Sequence, residues 1–386
     1  MRNGTGKPRV MMIIHQFRPW RPGGAEVQAE RLAERLAQRG HAVHVLTQQR
    51  TPDALPVENW RGFRITRVPF ALGYRPFSGW SQFAFLVRYR RSYDILHVHQ
   101  AFGHAIVAVL AAQLLRKPCL IKLGCAGTYG DLHQFSRLPL SAFGLPILRQ
   151  ADVIVAISRE IEQELQTWQF APDRILCLPN GIDTTQFRRS AGWGRPDEKR
   201  GPWRLCLVGR RHPQKGIDVA IRAMALLRHE PGFPPCELHL YGVDYPEYDF
   251  RRLSAECGVE DRVIFHDFRD EPRAILDTHD LFILPSRGEG LSNALLEAMS
   301  MELPIIATRV SGTTDLLVDG WNGRLIPPES PEALRAAICD VLRRPEQAGE
   351  WGRRARRTVE SLYSLDYIAA QYSALYDRLL ARLPQS

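Results

Sequence analysis

Short apolar runs alternate with amphipathic helical stretches along this chain, and the alternation runs through twice. Arg9–His15 reads as a buried strand, Pro22-Gly23-Gly24 breaks it, and Ala25 to Arg39 follows as a helix with Ala25, Ala29, Leu32, Ala33, Leu36 and Ala37 on one face. Gly40 stops that helix, and Ala42–Thr47 is the next strand. Ile65–Val68, Ile95–His99, Leu120–Leu123 and Val153–Ile157 continue the series. The rhythm restarts with Trp203–Gly209 as a strand and Asp218 to Arg228 as a helix, then Glu237–Gly242, Val263–His266, Leu281–Pro285, Pro304–Ala307 and Gly323–Ile326 as strands. Strands alternating with helices in this way predict parallel sheets covered on both faces. The expected fold class is therefore α/β, with two Rossmann-like doubly wound domains.

A length of 386 residues, 45% of them apolar, suffices for two cores. The polar stretch from Pro179-Asn180-Gly181 to Gly201-Pro202 reads as the linker. This gives domains at 1–179 and 180–364, with a final helix at about 365–386 packing back on the first. The seven cysteines have neither zinc-finger nor thioredoxin spacing and read as reduced thiols of a cytoplasmic protein. Val10 to Ile14 is too short for the apolar core of a signal peptide, and Ala101 to Leu115 is shorter than a spanning helix and reads as a buried one.

The motifs fall just after strands, where open α/β sheets bind ligands. Pro285-Ser286-Arg287-Gly288-Glu289-Gly290-Leu291-Ser292-Asn293 is a glycine-bounded loop running into a helix that begins near Ser292 and contains Glu297. The free N–H groups of such a helix start attract anions, and carboxylates accept hydrogen bonds from sugar and ribose hydroxyls. A helix cap with one solvated glutamate would look the same. Arg210 and Lys215 follow the strand ending at Gly209, and cations in that place can neutralise a departing diphosphate. Two solvated surface cations are the plainer alternative. Gly23-Gly24-Ala25-Glu26 permits close backbone approach to a ligand, although it lacks the G-x-G-x-x-G dinucleotide pattern. His97 and His99, in Asp94-Ile95-Leu96-His97-Val98-His99, share one face of a strand but lack a third metal ligand. No Asp-x-Asp motif stands at a strand end, so no metal site is expected.

Taken in order, Arg210 and Lys215, Glu289-x7-Glu297, Pro304-Ile305-Ile306-Ala307 and Asp319-Gly320-Trp321-Asn322-Gly323 resemble glycosyltransferase family 4. Gly23-Gly24-Ala25-Glu26, Arg39-Gly40-His41 and Asp94-to-His99 resemble the acceptor domain of the same family, and the likeness spans roughly residues 10 to 375. The resemblance implies the GT-B fold, two domains facing each other across a cleft. It also implies a retaining, metal-independent transfer from a nucleotide diphosphate sugar, UDP- or GDP-linked, with no cofactor, to a glycan or lipid-linked acceptor in cell-surface polysaccharide or glycoconjugate synthesis. By similarity Arg210 and Lys215 hold the diphosphate, Glu289 holds the sugar near the reacting carbon, and Glu297 takes the ribose. Gly24, Gly209, Gly290, Leu291 and Ser292 line the donor, and Phe268 or Arg269 lines the base.

In one respect the chain departs from the family. Gly124 follows the Leu120–Leu123 strand where relatives commonly carry histidine. His99, Lys122, Tyr129 and Asp131 are the candidates to replace it in contacts with sugar or acceptor. The same fold also serves nucleotide-sugar 2-epimerases and inactive partner subunits. The retained charged residues weigh against an inactive subunit, and the acceptor-domain motifs against an epimerase.

Residues 1–180 hold 23 Lys/Arg against 12 Asp/Glu, whereas residues 181–386 hold 28 against 30. The basic half suggests an anionic partner. No nucleic-acid-binding module is recognisable. Tyr74-Arg75-Pro76-Phe77, Trp80, Phe83, Phe85, Arg88, Tyr89, Arg90 and Arg91 combine aromatic and basic side chains suited to an anionic membrane surface. A helix packing Phe83, Leu86 and Val87 inward is the alternative. The expected location is the cytoplasm, peripheral on the inner face of the membrane.

Overall fold

A computed structural model describes residues 6–19, 23–50, 54–68, 79–139, 141–190 and 201–382. The chain divides into two compact units, Met1–Gly181 with Leu365–Ser386, and Ile182–Ser364.

The first unit holds an eight-stranded sheet built from β1 (Arg9–Ile13), β2 (Ala42–Gln48), β3 (Val57–Trp60), β4 (Phe63–Val68), β5 (Ile95–His99), β6 (Cys119–Lys122), β7 (Val153–Ala156) and β8 (Ile175–Cys177). Its order is β3-β4-β2-β1-β5-β6-β7-β8, and all pairings are parallel except β3 with β4. Val10 to Ile13 of β1 are fully buried, because helices cover both faces of a central parallel strand. The two strands absent from the sequence reading, β3 and β8, lie at the sheet edges and carry half-exposed or exposed residues, so neither shows an apolar run. The helix after β5, Gly103–Leu115, turns Leu110 and Leu114 to solvent and is less buried than its composition suggested.

The helix Leu365–Ala381 belongs to this unit. Ile368, Ala369, Tyr372, Leu375, Tyr376 and Leu379 join Val10, Met12, Val45, Ile95 and Leu120 in one core. Two polar contacts set its position along the sheet. His97 Nδ1 lies 2.7 Å from the Tyr376 hydroxyl, and His41 Nε2 lies 2.6 Å from Ser373 Oγ.

The second unit holds a six-stranded parallel sheet of β9 (Trp203–Val208), β10 (Cys236–Tyr241), β11 (Val263–His266), β12 (Leu281–Leu284), β13 (Ile305–Thr308) and β14 (Arg324–Ile326), in the order β11-β10-β9-β12-β13-β14. Alternate residues Leu205, Leu207, Leu238 and Leu240 face a core completed by the helices Ile217–Arg228 and Pro331–Arg343. Among the described residues no helix is long and apolar enough to cross a membrane.

Truncating a fully buried aromatic costs about 3–5 kcal/mol. Tyr376→Ala is therefore expected to lower the denaturation midpoint of the first unit markedly. Tyr376→Phe, which keeps the ring and removes the partner of His97, should cost about 1–2 kcal/mol. Urea unfolding followed by circular dichroism checks both. A Tyr376→Ala variant as stable as wild type would mean that the helix is not part of this core.

Candidate active site

In the second unit the chain winds outward from β9 toward β11 and, after crossing over, from β12 toward β14. The loops leaving the carboxyl ends of the adjacent strands β9 and β12 meet at this reversal of strand order, the usual ligand site of such sheets. The two donor motifs are these two loops. Gly216 (φ 63°) lies so close to the second loop that a β-carbon would stand 1.9 Å from the carbonyl oxygen of Pro285. Gln214 Nε2 donates to the Gly288 carbonyl (2.9 Å), and the Arg287 N–H donates to the Gln214 carbonyl (2.7 Å). Arg287 then clamps the pair, donating to both oxygens of Asp218 (2.9 and 2.8 Å) and to the Pro213 carbonyl (2.5 Å). Burial opposes ionisation of Asp218, but the Arg287 hydrogen bonds and charge outweigh it and hold its pKa below the ordinary carboxylate value.

This frame brings Lys215 and Glu289 together. Lys215 Nζ donates to Glu289 Oε1 at 2.6 Å, and Ser286 Oγ donates to the same oxygen at 2.6 Å. Among the described residues neither bond nor ion pair falls on Glu289 Oε2, which leaves that oxygen for a ligand hydroxyl. Arg210 is held more loosely, 3.3 Å from the Tyr245 hydroxyl and 3.4 Å from Gln214 Oε1. Its neighbour Arg211 is buried, pairs with Asp244 and donates to the His266 carbonyl (2.6 Å), so it ties the loop to β10 and β11 and leaves Arg210 half-exposed at the reversal.

Ser292 caps the helix Asn293–Ser300, accepting from the Leu295 N–H (3.3 Å). Gly290, Leu291 and Ser292 approach this helix start as buried residues, and Glu297 lies inside the helix, 5% exposed. Gly209 ends β9 beside the Lys215 side chain. Phe268 and Arg269 follow β11 at the outer edge of the sheet. Phe268 is exposed, and the Arg269 guanidinium lies 5.9 Å from the Tyr241 ring centre.

In the first unit the equivalent reversal lies between β1 and β5. Gly24 opens the helix Gly24–Gln38 after β1, with Gly23 extended before it. His15, just past β1, stacks on His104 (5.6 Å), and burial lowers its pKa to about 3. Gln100, just past β5, has φ 69°, a left-handed conformation uncommon for a side chain of this kind. The sequence reading passed over both, since neither belongs to a motif and only the strand order makes them neighbours. Asp94 accepts from the backbone and guanidinium of Arg9 (2.9, 3.0 and 2.6 Å), fastening the start of β5 to β1.

The four candidates for the missing histidine fall in different places. Asp131 is buried and accepts from the Gly124 N–H (2.9 Å). Desolvation raises its pKa to about 7 against the opposing N–H bonds of Gly124 and Ala101. It pins the loops after β5 and β6. Tyr129 is half-buried in the short turn Gly127–Tyr129. His99 and Lys122 are 2% and 5% exposed, and Lys122 faces Tyr372 of the C-terminal helix. Among the described residues no three His, Cys, Asp or Glu side chains are grouped to hold a metal ion.

Comparison with known proteins shows the family and the fold. The family described as Glycosyltransferase Family 4 matches residues 22–186, and Glycosyl transferases group 1 matches residues 202–344. The chain is 27% identical to the N-acetyl-alpha-D-glucosaminyl L-malate synthase of Bacillus anthracis, over 92% of this chain and 93% of that protein. It is 30% identical to a GDP-mannose-dependent alpha-(1-6)-phosphatidylinositol monomannoside mannosyltransferase of Mycolicibacterium smegmatis, over 65% of this chain and 69% of that one. The fold superposes on Anabaena HepE, solved in complex with UDP-glucose, with a TM-score of 0.79 at 17% identity, covering 97% of this chain and 100% of that one.

The contact between the two loops can be tested at Gly216. An alanine there meets both left-handed strain and the Pro285 carbonyl, for a loss of roughly 2–5 kcal/mol. Gly258 has the same φ of 63° with open space around it. Gly258→Ala should therefore lose only the strain, about 1–2 kcal/mol. Thermal unfolding of the two variants separates the terms, and equal losses would show that the approach to Pro285 is unimportant.

Proposed function

The chain belongs to glycosyltransferase family 4, and from that premise we propose that it moves a sugar from a UDP- or GDP-linked donor to a glycan or lipid-linked acceptor, with retention of configuration and without a divalent ion. The observation that carries this reading is the Lys215–Glu289 pair at the reversal between β9 and β12. As the bond from the sugar to the diphosphate breaks, negative charge grows on the leaving oxygen. Lys215 and Arg210 lie on the loop after β9, and the N–H groups at the start of Asn293–Ser300 lie on the loop after β12, so both sides supply positive charge. Glu289, hydrogen-bonded to Lys215 through Oε1, offers Oε2 to a sugar hydroxyl. Glu297 takes the ribose hydroxyls, and Phe268 or Arg269 borders the base. In the first unit, His15, Gln100 and Tyr129 border the acceptor. The GDP-mannose named for one relative and the UDP-glucose of the HepE complex support a nucleotide diphosphate donor of either base.

Lys215→Ala is expected to lower kcat by roughly 10²–10³, the loss of one stabiliser of developing charge. It should also lower stability, because Glu289 is then buried without its cation. Transfer assayed in chelator, with the product anomer assigned by proton NMR, tests the rest. Activity should persist and the anomer should be that of the donor. Wild-type turnover in the variant, an inverted product, or a requirement for magnesium would each count against the proposal.

We further propose that the first unit docks on an anionic membrane. Leu86 and Gln82 of the helix Gly79–Arg88 point inward and are fully buried, while Trp80, Tyr89, Arg88, Arg90 and Arg91 are exposed. The helix Gly103–Leu115 packs beside it with Leu110 and Leu114 exposed, and Phe143 of the helix Ser141–Leu148, which packs on Gly103–Leu115, is 74% exposed. Tyr74 to Phe77 lie outside the described residues. Apolar side chains beside arginines suit an anionic lipid interface, each basic residue adding about 1 kcal/mol. Sedimentation with anionic vesicles should show binding that falls with salt and is reduced when Arg88, Arg90 and Arg91 become Gln, with donor hydrolysis unchanged. No pelleting at low salt would reject docking.

A further inference from the structure

Beneath the C-terminal helix of the first unit lie four buried polar side chains, three of which leave a ring nitrogen or hydroxyl unpaired among the described residues. β5 and β6 pair in parallel with His99 opposite Lys122, so these two side chains share a face with His97. The His99, His97 and Tyr372 rings form a stack, with centroids 4.6 Å apart for the histidines and 5.0 Å for His97 and Tyr372. Lys122 Nζ lies 5.7 Å from the Tyr372 ring centre. All four residues are at most 5% exposed. Yet His97 Nε2, His99 Nε2 and the Tyr372 hydroxyl are buried with no hydrogen-bond partner among the described residues. Three such atoms in one cluster stand out, because at least about 90% of buried polar groups are bonded. Lys122 makes no ion pair with a carboxylate among the described residues, and its burial alone lowers its pKa to about 7.

The cluster is rich in donors. Burial, then the nearby Lys122 charge, holds His97 well below its ordinary pKa. Burial, then the His97 and Lys122 charges, does the same for His99. Both rings are therefore neutral, each with one N–H. If the Tyr376 hydroxyl donates to His97 Nδ1, the His97 N–H stands on Nε2. Lys122 and Tyr372 add further donors, and among the described residues no carboxylate pairs with either. Water could accept from two of these groups, but only an anion also stabilises the charged form of Lys122, which burial otherwise disfavours. An anion meets both needs. With every member buried, a small anion is the fitting occupant.

We propose that Lys122, Tyr372, His97 and His99 bind one small monovalent anion, of halide size, between β5, β6 and the helix Leu365–Ala381. This site is separate from the donor and acceptor contacts proposed above. It acts as a tie. The ion joins the carboxyl ends of two strands to the C-terminal helix, directly beneath the loops that begin at Gln100 and Leu123. The Gln100 N–H donates to the Lys122 carbonyl at 2.8 Å, so a shift of Lys122 is felt in the left-handed turn at Gln100.

Bromide is the probe. The full-length protein is melted in increasing bromide, with gluconate replacing it at fixed ionic strength. Wild type should show a saturable rise in Tm. Tyr372→Phe keeps the ring and removes one donor, and should weaken the bromide midpoint about tenfold, the scale of one hydrogen bond to a charge. Lys122→Met should abolish the saturable rise. Should Lys122→Met fail to fold, the Tyr372→Phe titration and an anomalous-scattering map of wild-type crystals grown in bromide still decide. The map should show a peak within hydrogen-bond distance of Lys122 Nζ and the Tyr372 hydroxyl. Parallel Tm responses in wild type and Tyr372→Phe, or no bromide peak at that position, would overturn the proposal.

Discussion

At Gly216 the backbone turns with φ 63°, and a β-carbon there would stand 1.9 Å from the Pro285 carbonyl oxygen. That approach lets the loop after β9 lie against the loop after β12, and the donor-side geometry follows from it. With the loops in contact, Arg287 reaches across to Asp218 and Pro213, Gln214 reaches Gly288, and Lys215 reaches Glu289. A larger residue would push the loops apart and lengthen all of these bonds together. The same device recurs at Gly312, where a β-carbon would stand 2.2 Å from the Gly290 carbonyl oxygen, so the helix start at Ser292 is packed from its far side as well.

The buried charges beside the two strand-order reversals are handled differently. In the second unit, the buried carboxylate Glu289 meets a lysine and a serine hydroxyl, and Asp218 meets Arg287, so each charge has a counterpart at hydrogen-bond distance. In the first, Asp131 is satisfied by backbone N–H groups and its pKa rises to about 7, while Lys122 has no carboxylate partner among the described residues. Gly124 lies against Asp131: a β-carbon there would be 3.7 Å from the nearer carboxylate oxygen. The loop is thus held by a carboxylate from the following helix, Asp131–Ser136, rather than by a side chain at Gly124 itself.

Much of this was legible in the chain. Apolar runs marked the central strands because a parallel strand covered on both faces is mostly apolar along its length, and β5 and β12 fall where the runs predict. The edge strands β3 and β8 escaped because partial exposure removes that signal. Arg210 and Lys215 stood out by their place after a strand. Asp218 and Arg287 did not, being 69 residues apart and unremarkable singly. Arg210 and Arg211 are adjacent and identical in type, yet one is half-exposed at the reversal and the other buried against β10 and β11, and only the pleat of the chain in place distinguishes them.

The sequence by itself determined the α/β class, the positions of the glycine-framed loops and the family to which their spacing belongs, because those depend on local periodicity and on residues close together in the chain. Which residues meet was decided by the tertiary structure. The reversal of strand order between β9 and β12 sets one loop against the other, and the return of Leu365–Ala381 to the first sheet buries His97, His99 and Lys122 beneath Tyr372. Such contacts join segments far apart in the chain, and their energies come from packing and desolvation, which no local pattern of residues encodes.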